Sequence, residues 1–310
     1  MKNYITVCFL LCCAWLSAQD KNPLLADPTI FENEGTYYLY GTKGAKDVDG
    51  EGFQVYTSTD LKNWKKPAAN NGFAFKKGDG YGTTGFWAPQ VFKYNNKFYM
   101  AYTANEQIAI ASSDSPAGPF KNDGKPLAAD VRQIDPFIFF DNGKIYLYHV
   151  RLENGNRIFV AEMENDLSAI KPGTLKECIT ATKPWEDTEK VKWTVTEGPT
   201  VFKKDNLYYL LYSANDFRNK DYAVGCATSK SPHGPWEKPD SPFISQSLLK
   251  YPGTGHGDVF YDKKGSMYYV FHTHFSESEV APRKTAIIPI TLKGKQLSIA
   301  KGKNIIWLVL

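Results

Sequence analysis

Ala26-Asp27-Pro28-Thr29-Ile30-Phe31, followed after a short polar stretch by Thr36-Tyr37-Tyr38-Leu39-Tyr40, is a two-strand phrase that returns four more times in the chain. Trp87-Ala88-Pro89-Gln90-Val91-Phe92 leads into Lys97–Tyr102, and Ile134-Asp135-Pro136-Phe137-Ile138-Phe139 leads into Lys144–Tyr148. Glu197-Gly198-Pro199-Thr200-Val201-Phe202 leads into Leu207–Tyr212, and His256-Gly257-Asp258-Val259-Phe260 into Ser266–Phe271. Aligned at 27, 88, 135, 198 and 256, the copies lie 47 to 63 residues apart, the spacing of propeller blades. Between the paired runs stand Glu34-Gly35, Asn95-Asn96, Asn142-Gly143, Asp205-Asn206 and Lys264-Gly265, the residue types that tight hairpins demand.

A third strand and its exit also repeat. Val55 to Trp64 resembles Ile110 to Phe120 and Ala227 to Trp236, each ending in an aromatic residue expected to pack beneath the outer strand. Aromatic residues make up 15% of the sequence, mostly in short alternating runs that suit half-buried strands. Such units bury their faces only by stacking on one another. The expectation is an all-β, five-bladed β-propeller of four-stranded antiparallel blades around a central channel, without substantial helix.

Residues 1–18 read as a secretory signal peptide: Lys2, an uncharged run from Ile5 to Leu16, then Ser17-Ala18. The run is short for a transmembrane helix, and Leu11 before Cys12 argues against a lipid anchor. The expected product is a secreted or periplasmic catalytic domain spanning 19–310. Removing the leader lowers the formal charge from +4 to +3 and leaves only Cys178 and Cys226, too few for a disulfide framework, although one pair could form. So small and scattered a charge excludes electrostatic capture of nucleic acid.

In a propeller, equivalent positions of the innermost strands converge around the axis. The aligned positions hold Asp27, Ala88, Asp135, Gly198 and His256, with Glu197 one residue ahead of the fourth. A single Asp-Pro is ordinarily a strand-entry residue, but three acids at one repeat phase are costly to gather unless used. Paired carboxylates at a pit are the working parts of glycosidic bond hydrolysis, one protonating the leaving oxygen and the other activating water or attacking the sugar.

Asp27-Pro28, Trp87-Ala88-Pro89, Ile134-Asp135-Pro136 and Thr196-Glu197-Gly198-Pro199, in that order and at blade spacing, resemble the blade motifs of glycoside hydrolase family 43. The resemblance covers essentially the whole chain after the leader. It implies an inverting hydrolase with Asp27 as general base, facing the mouth and open to water so that it stays ionised, Asp135 as the residue that raises the acid's pKa and orients it, and Glu197 as general acid. It also implies a calcium ion on the channel axis beside His256, touched directly or through water, and an Arg283 that holds sugar hydroxyls. Phe86 and Trp87 flank the same channel and offer a stacking face. Gln90 departs from the family's commonly acidic residue, and the Thr103–Ile108 loop is short; both changes are expected at the pocket rim.

The substrate implied is an oligo- or polysaccharide, with terminal α-L-arabinofuranoside or β-D-xyloside first and endo-arabinanase or exo-galactanase action as alternatives. A related clan of retaining fructosidases is disfavoured by Ala26, Ile134 and Glu197-Gly198. A non-catalytic carbohydrate-binding propeller would explain the aromatic residues but not the three acids.

Overall fold

A computed structural model describes residues 21–43, 50–302 and 304–310. The leader read at 1–18 lies outside them. A two-stranded sheet pairs Gly52–Gln54 with Phe73–Lys76, and five further antiparallel sheets follow one another along the chain as blades. Their innermost strands are Leu25–Asn33, Trp87–Tyr94, Gln133–Asp141, Thr196–Lys204 and Gly255–Tyr261. Each pairs with the strand that follows it: Thr36–Lys43, Lys97–Ala104, Lys144–Leu152, Leu207–Ala214 and Met267–Thr273. Every innermost strand also packs against that of the next blade, and the fifth packs against the first, which closes a five-bladed β-propeller. The longest helix among the described residues, Gln246–Leu249, has four residues.

The hairpin turns explain the tight reversals. Glu34-Gly35, Asn95-Asn96, Asn142-Gly143 and Asp205-Asn206 all have positive φ at both positions, the twist-matched turn that Asn and Gly adopt most readily. Outer strands are less regular than the inner three. The fourth is a full strand at Lys176–Ile179 and Gln296–Ile299, but contracts to a single bridge where Thr57 meets Lys65, Ser112 meets Lys121 and Thr228 meets Glu237. Beside these bridges Trp64 and Phe120 are buried, as their repeat phase predicts.

The apolar side chains form five clusters, one between each pair of neighbouring blades. Tyr40 and Met100 share the first, Phe92 and Leu147 the second, Tyr148 and Leu210 the third, Leu211 and Phe271 the fourth, and Leu39 with Val270 the fifth. Stability is therefore distributed around the ring, leaving the axis free for polar groups. Cys178 and Cys226 pack in different clusters as free thiols, and burial pushes each up to about 12.

The feature that builds the site is a bulge repeated five times. Asp27, Ala88, Asp135, Gly198 and His256 all have positive φ, between 36° and 59°, and the strand register slips at each of them. Four of these residues carry a side chain in a conformation that favours glycine, so the surrounding packing must enforce it. Hydrogen bonds between blades do so. The amides of Ala88, Asp135 and His256 donate to Thr42 Oγ1, Thr103 Oγ1 and Ser213 Oγ of the preceding blade, at 2.9, 2.9 and 2.7 Å. The Asp27 amide donates to His272 Nδ1 at 3.1 Å. At the remaining position blade three has Val150, which cannot accept, and the Gly198 amide donates instead to Asp135 Oδ2.

Candidate active site

The bulges bring Asp27, Asp135, Glu197 and His256 to one end of the channel. There they line a pocket of about 260 Å³ with Thr42, Trp87, Glu106, Asn156, Phe217 and Arg283 among its other walls. A second, smaller cavity of about 30 Å³ lies among the turns at Pro28, Pro89, Pro136 and Pro199 and shares Asp27, Asp135 and His256 with it.

Asp27 is buried, with 9% of its surface exposed, where the sequence suggested a carboxylate open to water. Burial alone would raise its pKa. The charges of Arg283, His256 and His272, with the Thr42 hydrogen bond, outweigh burial and hold the carboxyl well below the usual range. Arg283 Nη1 and His256 Nδ1 both stand 3.3 Å from Asp27 Oδ1, and Thr42 Oγ1 donates to Oδ2 at 2.6 Å. Fixed protein donors thus do what solvent was expected to do.

Glu197 is pushed up to about 7, first by burial and also by the charge of Asp27. Two hydrogen bonds pull the other way by favouring its ionised form: Tyr222 Oη donates to Oε1 at 2.8 Å and Asn156 Nδ2 to Oε2 at 3.2 Å. Asp135 is raised well above the usual range by burial and then by the charge of Glu197. Both carboxyls therefore hold their protons to higher pH than an exposed acid would. Glycine is required at 198, because a Cβ there would stand 2.7 Å from the His256 ring, and φ is +59°.

The other predicted residues divide. Arg283 is buried between Asp27 and Phe217, its guanidinium 4.7 Å from the ring centroid, and its Nε has no hydrogen-bond partner among the described residues. Trp87 is half-buried on the pocket wall. Phe86 is not at the site: it is 3% exposed and packs edge-on to Phe53 in the core between blades one and two. Neighbouring residues of a strand point to opposite faces, so Phe86 and Trp87 could not both face the channel. Gln90 is likewise no rim residue, since its amide bonds both backbone groups of Ile138 at 2.6 and 3.1 Å and ties blade two to blade three.

His256 was expected to hold calcium, which prefers a shell of oxygens. The oxygens along the axis are already engaged. Asp258 accepts the Thr200 and Thr29 hydroxyls at 2.6 and 2.7 Å, and Gln90 is held by Ile138. Among the described residues no three His, Cys, Asp or Glu side chains are grouped to bind a metal ion.

Sequence reasoning missed Tyr222, Asn156, His272 and Thr42. Tyr222 and Asn156 lie outside the five aligned phrases. Thr42 and His272 had a usable signal, because they and Thr103 and Ser213 occupy one repeat phase opposite the bulges.

Comparison with known proteins finds relatives of this chain. A crystal structure of an endo-1,4-beta-xylanase from Bacteroides thetaiotaomicron superposes with a TM-score of 0.85 at 40% identity, covering 93% of this chain and 98% of that one. A beta-D-galactofuranosidase of Aspergillus niger is 24% identical over 81% of this chain and 74% of its own length. An extracellular endo-alpha-(1->5)-L-arabinanase of Bacillus subtilis is 26% identical over 82% of this chain and 66% of its own. The family model for glycosyl hydrolases family 43 matches residues 21–296, so the chain belongs to that family and is a glycoside hydrolase.

Proposed function

We propose that the chain is an inverting, end-acting glycosidase that removes a terminal pentose, as an α-L-arabinofuranosidase, a β-D-xylosidase or both, from plant-type oligo- or polysaccharides. The observation that carries this reading is the opposite proton state of two carboxyls in one pocket. Asp27 is held ionised by Arg283 and its other donors, whereas Glu197 keeps its proton to about pH 7. One is suited to take a proton from water and the other to give one to a leaving oxygen.

In this mechanism Asp27 abstracts the proton of a water that attacks the anomeric carbon, while Glu197 protonates the departing glycosidic oxygen. Asp135 touches neither the water nor the departing oxygen; it fixes the turn that carries Glu197 and keeps its proton affinity high. Trp87 supplies a sugar-stacking face, and the Arg283 guanidinium on the pocket wall a donor for a hydroxyl. Residues 19–310 would form the exported catalytic domain. No helix among the described residues is long and apolar enough to cross a membrane, and the arabinanase relative is named as extracellular.

Proton NMR of the first product released from aryl α-L-arabinofuranoside and β-D-xyloside tests the proposal. Inverted product, with turnover abolished in Glu197→Gln, is expected. Retention would make Asp27 a nucleophile, and absence of turnover on every glycoside would favour a binding propeller.

A further inference from the structure

We infer that Trp193 forms the subsite for the leaving group, and that this group is a second sugar stacked on its indole ring. The inference rests on the reading of Glu197 as general acid. Trp193 is 45% exposed, yet it is not loose. Its Nε1 donates to Asn156 Oδ1 at 2.9 Å, and Asn156 Nδ2 donates in turn to Glu197 Oε2. The indole is thus tethered by its polar edge to the residue that holds the acid.

The segment carrying it is clamped as well. The Asn156 amide donates to Thr194 O at 2.9 Å, Asn156 pairs in parallel with Val195, and Thr196 Oγ1 donates to Asn156 O at 3.1 Å. A Cβ on Gly155 would stand 2.9 Å from Thr194 O, so the 153–156 turn and the segment before Glu197 press directly together. Asn156 and Val195 line the pocket wall on the Glu197 side, while Arg283 and His272 gather around Asp27. A general acid must face the oxygen that departs, so the leaving group exits past Glu197, Asn156 and the indole. A fixed aromatic face open to solvent there matches the apolar C–H face of a sugar ring. Small alcohols would gain nothing from such a platform.

The test compares two substrates with the same terminal pentose, one a disaccharide and the other its methyl glycoside. For Trp193→Ala, kcat/KM on the disaccharide should fall about ten-fold while the methyl glycoside changes less than about two-fold. Trp193→Phe keeps a ring but loses the Nε1 donor, and it should retain most of the disaccharide rate. Binding gives a readout free of turnover: in a Glu197→Gln background, Trp193→Ala should weaken the disaccharide about ten-fold by calorimetry and leave the free pentose unchanged. Equal losses on both substrates, with Trp193→Phe as impaired as Trp193→Ala, would overturn the platform and leave Trp193 a support for Asn156. Full activity in Glu197→Gln would instead overturn the assignment of the acid.

Discussion

Asp135 Oδ2 accepts the backbone amide of Gly198 at 3.2 Å, and it does so where the other four blades use a second-strand side chain. Thr42, Thr103, Ser213 and His272 hold the bulge amides of their neighbours, and Val150 has no oxygen to offer. Blade three therefore closes its part of the ring with a site carboxylate. The residue proposed to tune the acid is here also the anchor of the turn that carries it.

This double duty can be separated by substitution. Asp135→Asn keeps a carbonyl acceptor for the Gly198 amide, whereas Asp135→Ala leaves that amide buried without one, which costs about 1–3 kcal/mol. Asp135→Ala should therefore be less stable than Asp135→Asn by that amount in urea unfolding. Adding Val150→Thr should recover part of the loss, because the repeat places its hydroxyl where Ser213 and Thr103 act. If the double variant were no more stable than Asp135→Ala, the interpretation of the ring would fail.

Glu197 carries a stability penalty with a definite pH signature. Its pKa rises on folding from the ordinary 4.5 to about 7, so between those pH values the folded chain holds a proton that the unfolded chain has released. Stability from this group is intact below pH ~4, declines as pH rises through that window, and the penalty is complete above it, at about 3 kcal/mol. Glu197→Gln never ionises. It should be the more stable protein at pH 8 by up to this amount and match the parent at pH 4, as unfolding curves at the two pH values would show. An equal difference at both would assign the effect to packing.

The parts of this arrangement that were readable in the sequence are those that repeat. Five copies of one phrase disclosed the blades, and their common phase disclosed Asp27, Asp135, Glu197 and His256, because repeat phase becomes position around the axis. What did not repeat was hidden. Tyr222 and Asn156 reach Glu197 from segments outside the phrases, and only tertiary folding brings them there. Phe86 was misplaced because adjacency in sequence was taken for a shared face, against the alternation of a strand. The low pKa of Asp27 was expected, but for the opposite reason: it arises from Arg283 and histidines contributed by the fifth blade, about 250 residues away, rather than from solvent.

The proton affinity of Glu197 is set by opposing neighbours, so two substitutions should move it in opposite directions. Tyr222 Oη stabilises the ionised carboxylate through its 2.8 Å hydrogen bond. Tyr222→Phe removes that donor, Glu197 keeps its proton to higher pH, and the alkaline limb of the kcat/KM profile should move upward from near 7 by about one unit. Asp135→Asn removes the carboxyl that competes with Glu197 for a proton while preserving the Gly198 anchor, so the limb should move downward by a comparable amount. Both shifts should be largest on pentosides with poor leaving groups, which need the proton most. On an activated aryl pentoside the limb should flatten in every variant, whereas Asp27→Asn should depress all substrates alike, because each still needs the attacking water. If Tyr222→Phe left the limb in place, or lowered it, the hydroxyl would be holding the protonated form of Glu197, and the assignment of this residue as the acid poised at neutral pH would have to be withdrawn.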